Sequence, residues 1–339
     1  MSSPEPEATR PKLGIIVFNL GGPENLLEVK PFLYRLFSDP EIIRIRSDLL
    51  RKAVAYSIAT LRNHQSCSYY RQIGGGSPLR RITEEQAQAL SDELRWAGWN
   101  VEVFVGMCAW NPSFDEVLDA VDESGVERLI VLPLFPQYSL TTTGSGFRSL
   151  KSLIAGRPGM SDIDVRWIQS WRDHSTYLDA LTELIQKELD RFADSDSVQI
   201  LFSAHSIPER YVQDGDPYLE QTRETVELIA EKLGRRNPYR LSFQSRIGPV
   251  KWLGPPTNDV IVEMGRDGEK RILVVPVSFV SEHIETLYEL DILYQKVAKD
   301  AGIEEYRRVP ALNCNPTFIR SLREIVEAAA AEPEVATTG

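Results

Sequence analysis

Two of the chain's four histidines stand where short apolar runs give way to polar residues. Val198 to Pro208 reads VQILFSAHSIP and reaches His205. Arg271 to Glu289 reads RILVVPVSFVSEHIETLYE and reaches His283, then Glu285 and Glu289. Histidine, with an ordinary pKa of about 6.5, accepts a proton near neutrality. If the second segment is helical, Glu285 and Glu289 are four apart and share a face, where like charges repel by a few tenths of a kcal/mol unless a cation offsets them. Hard carboxylate oxygens suit a divalent ion in transit. The competing reading is a solvated acidic face at a helix N-terminus, which the macrodipole favours. The four residues together point to proton transfer or to handling of a divalent metal.

Each run is short and rich in Ile, Leu and Val, as a strand covered on both faces requires. Ligands of parallel sheets gather at the carboxyl ends of such strands. Further strands are expected at Leu13–Leu20, Val101–Met107, Arg128–Leu134, Tyr239–Gln244 and Ile272–Val277. Helical patterns cover Ile82–Ala97, Phe114–Ser124, Tyr177–Phe192, Tyr218–Leu233 and Phe318–Ala330. Thr83 and Gln86 have the spacing of a capping box. The alternation indicates an α/β protein of βαβ units.

The chain reads as an internal duplication. LGIIVFNLGGP resembles VQILFSAHSIP, and the run from Arg128 resembles the run from Arg271. The matched starts lie at 13 and 128 in the first half and at 198 and 271 in the second, so the first half holds an insertion of about 40 residues. Residues 29–81 are the place for it. They are expected to form a lip over a pocket, or else one or two extra packed helices. Gly74-Gly75-Gly76-Ser77-Pro78 lacks P-loop spacing. It reads as a phosphate cradle or as a tight loop that lets backbone approach a flat ligand. Tyr138 in FPQYS and Trp252 in WLGP read as pocket-lining aromatics or core plugs.

The formal charge of −11 argues against nucleic acid as a partner. Three scattered cysteines exclude a disulfide scaffold and suit a reducing cytoplasm. Mean hydropathy is −0.25, and no apolar run is long enough to span a bilayer. The polar, Pro-rich start is expected to be disordered.

These features coincide with NLGGPE (from Asn19), YRQIGGGSP (from Tyr70), FPQYS (from Phe135), FSAHSIP (from Phe202), NPYRLSFQSRIGPVKWLGP (from Asn237) and EHIETLYELD (from Glu282). In that order they resemble the ferrochelatases, enzymes that insert Fe²⁺ into protoporphyrin IX to make haem. The resemblance implies two similar Rossmann-like halves with a porphyrin cleft between them. The expected division is a lead-in at 1–12, an N-terminal half at 13–165 with a lip at about 29–81, a C-terminal half at 166–317, a closing helix at 318–331 and a tail at 332–339. It implies His205 and Glu285 as catalytic residues, with His283 and Glu289 joining them in handling the metal. It implies Arg62 and Ser77 for the porphyrin propionates with Tyr70 nearby, and Leu20, Ile42, Tyr138 and Trp252 against the ring. Alternatives are a chelatase for another tetrapyrrole or metal such as cobalt, and a porphyrin- or haem-binding protein without turnover.

Two departures from the family pattern stand out. Cys108 and Ala109 occupy positions that are Arg and Tyr in many relatives, and Leu293 shortens the acidic row. Leu140 and a tail without cysteine lead to the expectation of no [2Fe–2S] cluster and no tightly bound cofactor, Fe²⁺ being a substrate. A cytoplasmic protein is expected, monomer or homodimer, with weak membrane contact at the inner face through the apolar segment Leu36–Ile45 of the lip.

Overall fold

The first strand, β1 (Leu13–Asn19), is buried at all seven residues, as a strand with both faces covered must be. The computed structural model describes residues 12–160, 163–246, 248 and 250–331. The expected lead-in, apart from Lys12, and the expected tail at 332–339 lie outside the described residues. β1 pairs in parallel with β2 (Val101–Met107) and β3 (Arg128–Pro133), and β3 with β4 (Asp164–Trp167). The second half repeats this with β5 (Gln199–His205), β6 (Tyr239–Gln244), β7 (Arg271–Pro276) and β8 (Glu305–Arg308). The strand orders, β2-β1-β3-β4 and β6-β5-β7-β8, are the same. So is the register: Phe18 lies opposite Pro133 in one half, and Ser203 opposite Pro276 in the other.

Helices cover these sheets. The first half holds α1 (Val29–Ser38), α2 (Asp48–Gln72), α3 (Leu79–Trp96), α4 (Phe114–Ser124) and α5 (Thr143–Ala155). Then come α6 (Ser175–Leu189), α7 (Glu209–Gln213), α8 (Tyr218–Lys232) and α9 (Thr257–Arg266). A π-helix (Glu285–Tyr294) runs into α10 (Gln295–Asp300), and α11 (Pro316–Ala331) follows. One apolar cluster joins Ile15 and Val17 of β1 to Ile200 and Phe202 of β5 through Phe318 and Leu322 of α11. The end of α11 returns to the first half, where Arg128 donates to the Ala330 carbonyl at 2.7 Å.

Several sequence expectations are corrected. Thr83 caps nothing. It is buried inside α3, and its hydroxyl donates to the Leu79 carbonyl at 2.8 Å. The helix starts a turn earlier, after Pro78, whose ring presets a helical φ. The capping box in this chain is Ser113 with Glu116 on α4. β4 (DVRW) and β8 (EYRR) escape the sequence reading because they are four-residue polar edge strands.

The insertion folds as α1 and α2 around Phe32, Leu33, Phe37, Ala55 and Tyr70. Ile42 and Ile43 are half-buried against that cluster, so Leu36–Ile45 is not the exposed apolar surface it was expected to be. The apolar side chains open to solvent on this part of the chain are on α2, with Leu49 and Leu61 each 82% exposed. Gly76 packs so tightly that a Cβ there would sit 2.0 Å from the Glu24 carbonyl oxygen. The close approach that glycine permits here is to the NLGGPE loop.

Candidate functional site

The carboxyl ends of β5, β6 and β7 converge on one spot. β5 delivers His205 as its last residue. The Tyr218 hydroxyl donates to the His205 carbonyl at 2.9 Å and meets Ser278 Oγ at 2.6 Å, which ties the ends of β5 and β7 together. His205 Nδ1 lies 2.8 Å from Glu285 Oε2. The His205 side chain stays 35% exposed and that of Glu285 17%, so the pair remains within reach of solvent. His283 Nδ1 faces the Ser281 carbonyl at 3.1 Å, and its ring is tilted against Phe279 with centroids 4.5 Å apart.

Glu285 and Glu289 belong to a π-helix, in which hydrogen bonds close over five residues. Both carboxylates reach the end of β6. Ser245 Oγ lies 2.8 Å from Glu285 Oε2 and 2.6 Å from Glu289 Oε2. Gln244 Nε2 donates to Glu289 at 3.1 Å, and Gln244 Oε1 accepts from Ser203 at 2.7 Å. The π-helix is anchored from behind by Arg308 on β8. Its guanidinium forks onto Asp291 at 2.6 and 2.7 Å and donates to Glu282 at 2.8 Å.

The electrostatics follow from this packing. Burial opposes a charged His205, but the charges of Glu285 and Glu289 outweigh it and its pKa rises. Burial would raise Glu285, but His205 beside it wins and holds the carboxyl low. Glu289 is displaced upward by burial and then by the Glu285 charge. His283 is lowered, chiefly by burial. One serine hydroxyl carries one hydrogen, so Ser245 bonds both carboxylates only when one is protonated. Glu289 is the one whose environment favours the proton.

Helix α2 reaches the same spot. Tyr69 of α2 stacks on Tyr288 of the π-helix with centroids 4.1 Å apart. Tyr70 is buried; burial and the Glu285 charge both raise its pKa. A strap across the two halves lies beyond them. Arg44 meets Asp214 at 2.8 Å and lies 4.2 Å over the Tyr211 ring, whose hydroxyl donates to the Glu41 carbonyl.

The other expected residues stand on separate segments of the chain. Trp252 bridges to Pro208, three residues past His205. The Leu20 carbonyl accepts from Ala109 N at 2.9 Å. Ser77 N donates to Pro23 O at 2.7 Å on the neighbouring loop. Tyr138 is half-buried over Gly144 and held through its backbone N–H by Gln221 at 2.7 Å. Arg62 has a buried Nε with no partner. From residue 49 to residue 83 the sequence holds no Asp or Glu, but six Lys or Arg. Cys108 and Ala109 bring no charge to the site: Cys108 packs beside Phe18, and Ala109 joins the lip cluster.

Among the described residues no three His, Cys, Asp or Glu side chains are disposed to hold an ion together. The sequence reading missed Gln244, Ser245 and Arg308. The strand-end rule, applied to β6 as it was to β5 and β7, would have found the first two.

A family model described as Ferrochelatase matches residues 12–330. The ferrochelatase of Synechococcus sp. (strain JA-3-3Ab) is 51% identical over 316 residues, covering 93% of this chain and 93% of that protein. That of Gloeothece citriformis (strain PCC 7424) is 48% identical, covering 93% and 82%. Among solved structures, SirB from Bacillus subtilis with Fe³⁺ overlays with a TM-score of 0.55 at 13% identity, over 94% of this chain and 96% of that one. This last likeness concerns the fold alone.

Proposed function

The chain belongs to the ferrochelatase family, and from that premise we propose how its residues divide the work of metal insertion. The protein is a metal chelatase that inserts Fe²⁺ into protoporphyrin IX, with loss of the two pyrrole protons, to give protohaem. We place the activity among the lyases. Relatives at about half identity favour this reaction over cobalt insertion into another tetrapyrrole and over binding without turnover.

His205 takes a pyrrole proton. The observation that carries this reading is its 2.8 Å pairing with Glu285, with the imidazole still 35% exposed. The negative partner strengthens the base, and the exposed ring face can meet the macrocycle. Glu285 stabilises the imidazolium that results. Glu289, with its raised proton affinity, carries the proton or the incoming metal along the π-helix. A recess that fits a bent ring better than a flat one lowers the barrier further, since bending exposes a nitrogen lone pair. Arg62, whose Nε has no partner, and Ser77 take the propionates, with Tyr70 beside them. Leu20, Ile42, Tyr138 and Trp252 bound the ring.

We take the protein to act in the cytoplasm, as a monomer or homodimer, without an iron–sulfur cluster. Its three unpaired cysteines suit a reducing compartment. No helix among the described residues is long and apolar enough to cross a membrane. Weak, reversible membrane contact through α2 is supported by the solvent-open side chains of Leu49 and Leu61. The central test is anaerobic loss of protoporphyrin fluorescence with Fe²⁺, Zn²⁺ and Co²⁺ in turn. Catalytic turnover with Fe²⁺ is expected; stoichiometric binding without turnover, or preference for Co²⁺, overturns the assignment.

A further inference from the structure

Ser245 stands just past β6 with φ at +65°, in the left-handed region that suits glycine. The chain nevertheless carries a side chain here. Its Oγ is within hydrogen-bond distance of both Glu285 and Glu289, at 2.8 and 2.6 Å. Strained backbone at a convergence of functional groups is the pattern in which local conformation is held for the sake of the site.

The remaining partners show what the hydroxyl adds. Without it, the Glu285 carboxylate keeps His205, and the Glu289 carboxylate keeps Gln244. Gln244 is itself fixed by Ser203, so it cannot follow a moving glutamate. The hydroxyl is therefore the direct link between the two acids, whose nearest oxygens can be no further apart than two hydrogen bonds. A π-helix is an uncommon conformation found frequently at functional sites.

We propose that Ser245 is a positioning residue for metal insertion, its hydroxyl holding the carboxylates of Glu285 and Glu289 at the spacing across which the metal or the released proton passes. The inference rests on the reading that those two glutamates serve the reaction. It differs from a structural role because the backbone here favours glycine.

Ser245→Gly is accordingly the decisive variant, since it removes the hydroxyl and relieves the backbone. It is expected to melt at or above the wild-type temperature. Its kcat should fall about tenfold and its KM for Fe²⁺ rise several-fold, while KM for protoporphyrin stays within about twofold. Ser245→Ala, which keeps the Cβ, should show the same kinetic loss with a lower melting temperature. In Glu289→Gln, adding Ser245→Gly should cost much less than it does in the wild type, because both changes break one link. A Ser245→Gly enzyme with wild-type kcat and KM for Fe²⁺ overturns the proposal. So does one that loses porphyrin binding and stability together. Glu285→Gln separates the two levels of failure. If it retains full turnover, the reading of the glutamates fails; if it is inactive while Ser245→Gly is fully active, only the role of Ser245 fails.

Discussion

Leu20 is the counterpart of His205. Phe18 lies opposite Pro133 in the first half and Ser203 opposite Pro276 in the second, and two residues further along the same path come Leu20 and His205. The duplicated position thus carries an aliphatic side chain in one half and an imidazole in the other. The half that holds His205 also supplies Ser245 and the π-helix, whereas the first half supplies the lip.

His205→Ala is expected to reduce kcat by about 10²–10⁴-fold, the range for loss of a general base, while protoporphyrin still binds. Fluorescence titration and turnover assays measure the two separately. In the wild type, kcat/KM should fall as acid protonates His205, with a midpoint above its ordinary 6.5 because Glu285 raises it. A midpoint below that value would point instead to His283, which is shifted the other way.

Glu289→Gln should stabilise the protein in alkali and not in acid. A group whose folded pKa exceeds its unfolded one contributes stability below the unfolded pKa and loses it as pH rises through the folded one. Glu289 is such a group, so the wild type bears the cost of ionising it there. Thermal melts from pH 5 to 9 should show the variant gaining on the wild type by on the order of 2 °C at the alkaline end. A gain that is largest at pH 5 would contradict the displaced pKa.

Arg308→Lys should lower kcat and the melting temperature together, because a lysine cannot fork onto Asp291 and still reach Glu282. Breaking a buried pair of this kind costs about 3–5 kcal/mol when one partner is removed outright, and less for lysine. Asp291→Asn leaves the Glu282 contact and should be the milder change by both measures. Equal, negligible effects would mean that the π-helix holds its shape without the clamp.

On the lip, Ile42→Ser and Ile43→Ser should raise KM for protoporphyrin and also lower the melting temperature, since both side chains pack half-buried. Leu49→Ser and Leu61→Ser should leave the melting temperature unchanged and reduce sedimentation with anionic vesicles. Unaltered sedimentation would remove α2 from the membrane proposal.

The purified protein should contain no labile sulfide and no iron in stoichiometric amount. Cys67 is buried in the lip core, and Cys108 packs against Phe18. Elemental analysis with an absorption spectrum checks this directly.

Much of the fold could be read from runs such as LGIIVFN and RILVVP, because a strand buried on both faces has no alternative composition. Edge strands such as EYRR have no such constraint and read as loop. His205 and Glu285 were visible as a histidine and a carboxylate beyond strand ends. Their 2.8 Å contact was not, since it joins residues 80 apart in the sequence. Ser245 was hidden for a different reason: a serine after a strand is ordinary, and only its positive φ and its two acidic neighbours single it out.

Of the six cations in the acid-free stretch from residue 49 to residue 83, Arg51 and Lys52 pair with Asp48, Arg80 with Glu24 and Glu84, and Arg81 with Glu85, so the charge of this segment rests chiefly on Arg62 and Arg71. Protoporphyrin arrives as a dicarboxylate, and a uniform charge of −11 would repel it. Two arginines act on a carboxylate only within about a Debye length, roughly 8 Å in physiological salt.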